Sequence, residues 1–482
     1  MRRSISFLII SMVFAVCSYA QNTMTLDEVI NKYFDQTNAA EVNNLDKNIA
    51  ASNFLLYKAG LKPQVSLNFQ VPNYSKTSTQ IIQPNGSIAF QSISQNNSSV
   101  GLQLLQAIPW TGGNFFAESE LRRFDDFSFD SKSYNGIPIR LGVNIPVLGF
   151  NPYKWDKLIQ PLELNASVSS YTYEKENIKS NIVGLYFNVL IAQTAKQIAI
   201  VNKMSHVRLD TIAIEKFSLG KISREEKLQI ETGLESAELI LQQYQYDEVT
   251  AFNALNAYLN ETSLDSTVTF KIPAAIIPAK IKEAEIIAMA VRNYPELLRN
   301  KINILEAQRY MAKAKTDYGI QANLYGSFGW ARGSQQVKDI YTQPYVEEQL
   351  SLTVAIPIVN WGSSRQANAV AKDRLERAKL SDTQDEADFV NNIKTQISLL
   401  NHSLRRISSL NEIQQKSEER YNISNERYLL GKISLTDLSL AQQEKDQMKM
   451  AYIMAMRDYW VSLYELRKYT GYDFINNSPI NK

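Results

Sequence analysis

Few residues in this chain have the chemistry for catalysis. His206 and His402 are the only histidines among 482 residues. Each lies in a helix-periodic stretch, with no second histidine at a spacing that could share a metal ion. Cys17 is the single cysteine, and no Ser or Cys stands in a nucleophile motif. The histidines read as helix-surface or packing residues, and the Lys/Glu-rich helix faces as solvated. No catalytic residue, metal ligand or cofactor is expected, and the chain does not read as an enzyme. What it does contain twice is a turn sequence: Glu215-Lys216-Phe217-Ser218-Leu219-Gly220-Lys221-Ile222-Ser223 and Glu426-Arg427-Tyr428-Leu429-Leu430-Gly431-Lys432-Ile433-Ser434, 211 positions apart (426 minus 215). A Gly between two segments poor in breakers can turn left-handed, letting one helix stop and an antiparallel one begin. Both copies therefore read as tips of helical hairpins.

The elements that position these tips are long. From about Pro161 to Leu219, Ile198, Val201, Leu209 and Ile212 mark a narrow stripe at spacings of three and four, and nearly sixty helical residues span on the order of 90 Å. A helix from Arg224 to about Tyr258 returns. In the second half a helix from about Ser363 to Leu430 precedes the tip, and Leu435, Leu438, Ala441, Met448, Tyr452 and Tyr459 stripe the helix after it. Helices of this length imply coiled-coil-like packing.

Between helices the period changes to two. Val65, Leu67, Phe69 and Val71 alternate with polar residues, as do Ile139, Leu141, Val143, Ile145 and Val147, the Ile320–Trp330 stretch, and Leu350, Leu352, Val354 and Ile356. Gly101–Ala107 and Phe115–Phe124 are further strand candidates, whereas 73–99, rich in Ser, Asn, Gln and Thr, reads as a long polar loop with room for a hairpin. In each half the strands are entered from a helix and left into a helix. All strand loops thus lie at one end and both Gly tips at the other.

Arg2 and Arg3, the apolar run Ile5–Val16 and Ser18-Tyr19-Ala20 have the three parts of a secretory signal peptide, with cleavage expected after Ala20. Val16 before Cys17 argues against a lipoprotein, and the mature chain would then lack thiols. Beyond the leader no apolar run reaches the roughly 20 residues of a transmembrane helix, so a membrane role must use strands. A formal charge of +2 with mixed signs gives no reason to expect nucleic acid. The expected organisation is a signal peptide at 1–20; a first repeat at 21–262, with strands within 64–147 and a tip at 220; a linker at 263–281; a second repeat at 282–472, with strands within 320–357 and a tip at 431; and a tail at 473–482.

Strands with one apolar and one polar face suggest a transmembrane β-barrel. Trp110, Phe115, Tyr153, Trp155, Trp330 and Trp361 fall at or near strand ends, where interfacial girdles form. The competing reading is a periplasmic or surface coiled-coil protein that forms no pore, which leaves the alternating strands without a purpose. The segments ERYLLGKISLTD at 426–437 and EKFSLGKISREE at 215–226, the strand ends Ile108-Pro109 and Ile356-Pro357, and the twofold order of elements resemble the TolC family of outer membrane efflux proteins over essentially the whole mature chain. The resemblance implies an α+β membrane protein: a homotrimer with an outer-membrane β-barrel continued by a long periplasmic α-helical barrel. It implies a channel for efflux or type I secretion, with outer-membrane lipid, a periplasmic adaptor and an inner-membrane pump as partners. It further implies that the tips, Leu219, Gly220, Lys221, Leu430, Gly431 and Lys432, meet the adaptor. Acidic residues just beyond the tip constrict the entrance in that family. Asp437 matches the first of its acidic pair and Glu226 is the corresponding position in the first half, but Leu440 stands at the second. The first half offers four strand candidates where the second offers two, and matched halves favour two per half, a twelve-strand trimer.

Overall fold

The computed structural model describes residues 22–276 and 282–480; the expected leader at 1–20 lies outside them. Strand β1 (Asn22–Met24) leads into α1 (Leu26–Tyr33), started by a capping box in which Glu28 N–H donates to Thr25 Oγ1 (3.3 Å) and Thr25 N–H to Glu28 Oε2 (2.8 Å). A 3-10 turn at Phe34–Gln36 and a second cap at Thr37 separate α1 from α2 (Asn38–Gly60).

Strands β2 (Gln64–Gln70), β3 (Tyr74–Ile82), β4 (Ile88–Ile108), β5 (Gly113–Asp126) and β6 (Ser131–Leu148) follow. The polar stretch read as a loop is therefore largely strand. Next comes α3 (Pro152–Ser218), capped by Asn151, whose Oδ1 accepts from Lys154 N–H at 3.2 Å. It returns as α4 (Arg224–Leu259). Within 263–281, read as a linker, β7 (Val268–Phe270) pairs in parallel with β1. Helices α5 (Glu283–Asn293) and α6 (Pro295–Asp317) are divided at Pro295 because the residue before it, Tyr294, is held extended (ψ 120°). Then come β8 (Gln321–Ser334), the short α7 (Val337–Thr342), β9 (Tyr345–Ala355), α8 (Ser363–Leu429), α9 (Leu435–Thr470) and the terminal pair β10 (Tyr472–Asp473) and β11 (Ser478–Pro479).

Six strands form one antiparallel path in the order β2-β4-β5-β6-β8-β9, and β3 pairs with β4 above β2. Strands β4 and β5 are paired on both sides inside the sheet, so the first half gives four strands to this path and the second half two. The largest core lies between the sheet and the tips, where α1, α3, α4, α8 and α9 converge on the β1–β7 pair. Tyr186 stacks on Phe270 (4.6 Å) and donates to the carbonyls of Met24 (3.0 Å) and Lys271 (2.6 Å), so its buried hydroxyl is satisfied. Beside this core Arg467 reaches Glu176 (2.9 Å) and Asp473 (3.1 Å), and Lys179 completes the cluster on Glu176 at 2.6 Å.

Candidate functional site

The register assigns each strand residue to a face. Val65, Leu67 and Phe69 oppose Leu104, Leu102 and Val100. On the same face Leu141 opposes Phe328, Ile139 opposes Trp330, and Leu324 opposes Leu352. Glu348, opposite Phe328 and three residues from the start of β9, is a charge on that face. The other face pairs Ser66 with Gln103, Asn144 with Tyr325, and Ser327 with Gln349. Arg123 falls on the apolar side but is paired with Asp125 at 2.8 Å, which itself accepts from Asn96 (3.2 Å) where β4 passes beyond β2. Its charge is compensated near the outer end of the sheet rather than left in the apolar band.

The polar face holds a charged row that sequence reading missed. Arg140 donates to Glu118 on β5 (2.9 Å) and, across β8, to Glu347 on β9 (2.6 Å). The residue it crosses is Gly329, where a Cβ would come within 2.5 Å of the Ile139 carbonyl and 3.0 Å of Arg140 Cβ. Gly142 likewise leaves room for Phe116, whose ring stacks against Tyr325 at 5.8 Å. Isolated glycines inside strands were the available signal, since they mark close approach of other groups.

At the opposite end the two tips have nearly the same backbone. Gly220 (φ 65°) and Gly431 (φ 70°) are left-handed. Lys221 N–H donates to the Lys216 carbonyl (2.8 Å) and Lys432 N–H to that of Arg427 (2.9 Å), closing each helix in a Schellman-type turn. Leu219 and Leu430 are 67% and 68% exposed, and Lys221 and Lys432 point to solvent. Ser223 caps α4 through Glu226 N–H (3.0 Å), and Ser434 caps α9 through Asp437 N–H (3.1 Å).

Here the carboxylates part. Asp437 Oδ2 reaches back to the Ser434 hydroxyl (2.8 Å) and N–H (3.1 Å), and these two donors hold the exposed carboxyl below the usual aspartate range. Glu226 makes no such return contact with Ser223; it is half-buried, and burial first, then the Glu226 charge, raise the pKa of the Tyr428 hydroxyl. Leu440 is exposed. Tyr428 is itself buried in a small cluster with Leu209, Ala213, Ile230, Leu435 and Leu438, which ties the two hairpins together just short of their tips.

Of the two histidines, His206 lies in a groove between α3, α4 and α9 with Asn202, Gly233 and Asp446. Burial pushes its pKa down, which keeps the imidazole neutral. Among the described residues no cluster of His, Cys, Asp and Glu is arranged to hold a metal, and no helix is long and apolar enough to cross a membrane.

A sheet with one apolar and one polar face, joined at a single end to two very long helical hairpins, defines the class as an outer-membrane channel protein with its helices in the periplasm. Residues 286–472 match the family described as outer membrane efflux protein. Solved structures extend the likeness of fold over nearly the whole chain. The Campylobacter jejuni CmeC outer membrane channel is 18% identical (TM-score 0.63; 95% of this chain, 88% of that one). The Neisseria gonorrhoeae MtrE outer membrane channel, in its open state, is 15% identical (0.62; 95% and 91%). The outer membrane protein VceC of Vibrio cholerae is 11% identical (0.65; 95% and 97%). No curated protein sequence matches the chain.

Proposed function

We propose that three copies of the chain, each built of two structural repeats, form the outer-membrane channel of a tripartite efflux or type I secretion system. The sheets close into a barrel in outer-membrane lipid, and α3, α4, α8 and α9 of the three copies continue as a helical barrel through the periplasm. An inner-membrane pump loads this conduit through a periplasmic adaptor that docks on Leu219, Gly220, Lys221, Leu430, Gly431 and Lys432. Asp437 and Glu226 line the entrance.

The observation that carries this reading is the continuity of a two-faced sheet, at one end only, with two hairpins of matching length: 67 residues out and 36 back in each. A periplasmic coiled-coil protein would have no use for an exposed apolar sheet face, which in water is a site of association. Purified protein reconstituted in planar bilayers should give discrete conductance steps and run as a trimer after cross-linking. A protein found in the soluble periplasmic fraction, monomeric and without conductance, would leave the pore-free coiled coil as the better description.

A further inference from the structure

We propose that β2, β4, β5, β6, β8 and β9 all span the membrane, and that β2 of one copy pairs with β9 of the next, so that three copies close a barrel of eighteen strands. The number of copies rests on the trimeric reading above; six strands per copy is independent of it. Strands β2 and β9 stand at the two ends of the path, and neither outer edge has a partner within the described residues. Lipid offers such an edge no hydrogen bonds. Because β2 runs away from the helices and β9 runs back toward them, joining the two edges continues the antiparallel alternation.

Their faces also agree. Row by row, Gln64 is level with Leu105, Phe116, Gly142, Ser327 and Gln349. Val65 and Leu67 therefore lie on the face of Leu350 and Leu352, while Ser66 and Asn68 lie on the face of Gln349 and Ser351. The added pair is held at its foot as well: the turn between β4 and β5 lies beside the start of α3, where Asn151, the cap of that helix, donates to the Pro109 carbonyl at 2.9 Å. Trp110, 84% exposed, thus sits at the helix end of the strands rather than outside the cell.

The slope of the sheet is that of a closing barrel. The row through Gln64, the first residue of β2, meets β9 at Gln349, six residues before its end at Ala355. Six residues of stagger over the five steps from β2 to β9 is about one per strand, close to the ratio of an eight-stranded, shear-eight barrel tilted about 36°. Eighteen strands at that tilt enclose a ring roughly 34 Å across between backbones, against about 23 Å for twelve. Twelve helices packed ~8–10 Å apart form a ring of roughly 30–38 Å. The wider barrel thus continues the helical conduit without a taper, and leaves the tips as the place where passage is restricted.

The test is a cryo-electron microscopy map of detergent-extracted trimers, with cysteine labelling of whole cells in a chain whose only natural cysteine is Cys17. Six membrane-level strands per copy and eighteen in the ring are expected; a trimer with four per copy would overturn the proposal. Six per copy in a ring of two or four copies would uphold the strand count and overturn the eighteen-strand closure, by removing the trimeric reading. In cells, W110C should resist a membrane-impermeant maleimide until the outer membrane is opened, while S87C in the β3–β4 turn should label at once. Labelling of W110C in intact cells would place the added pair outside and overturn the proposal. If S87C also fails to label, the chain is not in the outer membrane as read, and the channel reading falls with it.

Discussion

The first half of the chain sends a helix of 67 residues out to Gly220 and one of 36 back; the second half sends 67 out to Gly431 and 36 back. Their sheets differ: β2, β4, β5 and β6 of the path come from the first half and only β8 and β9 from the second. The contrast has a mechanical cause. Helices packed side by side over a common length cannot change length singly without unpacking their partners. Two antiparallel strands can be inserted between neighbours of a sheet without reversing either neighbour. The conduit constrains the hairpins, and the barrel tolerates addition.

The tips offer the sharpest way to break this equivalence. Leu219→Glu together with Leu430→Glu should abolish export while trimers still reach the outer membrane, since both leucines are exposed at the proposed docking surface. The single variants would show whether one tip dominates. Survival of export in the double variant would reduce both tips to turns.

Next in size is a contact that only the second half makes. Arg467 lies 211 residues after Asn256 (467 minus 256), the same interval as the tips. Asn256 merely donates to the Leu264 carbonyl (2.7 Å), whereas Arg467 is 6% exposed and bound to the fully buried Glu176. Arg467→Met should cost about 3 kcal/mol, the lower end for breaking a buried pair, because Lys179 remains on Glu176. Asn256→Ala should cost less than half of that, and denaturant titration of the extracted protein would measure both.

Gly220→Ala and Gly431→Ala should each cost about 1–2 kcal/mol through backbone strain alone, as nothing lies within 4 Å of either added Cβ. Equal costs would support equivalent turns. A larger cost at one would show that packing distinguishes them, read as faster amide exchange at that tip.

The smallest effects concern the caps. Ser223→Ala and Ser434→Ala should each lose about 1 kcal/mol of local helix stability, with Ser434 the costlier because it also holds Asp437. That carboxyl has its folded pKa lowered by the Ser434 donors, so its contribution is fully present above the unfolded value and fades as pH falls through the folded one. Exchange at the second tip should therefore quicken at the acid end, below the ordinary aspartate range. The first tip, where Glu226 makes no return contact with Ser223, should show a weaker response.

Much of this architecture was legible in the sequence where a signal is carried by adjacent residues. Left-handed glycines at the tips and strict alternation along β2, β6 and β9 act through the local backbone. The site was legible to the same extent: the tip residues could be placed, but not the fact that Asp437 is engaged by its own cap while Glu226 is half-buried. The outer part of β4 was read as loop because a strand with water on both faces has no alternating signature.

The sequence by itself thus determined the long hairpin helices, their tips and the directions of the strands, since hydrogen bonds between near neighbours and the period of apolar residues suffice for those. Only the tertiary structure decided which strands are neighbours. It placed β4 and β5 inside the sheet, carried Arg140 across Gly329 to Glu347, and joined Arg467 to Glu176 from 291 positions away. These pairings depend on which distant edges and charges meet once the chain has folded, and no local periodicity encodes that choice.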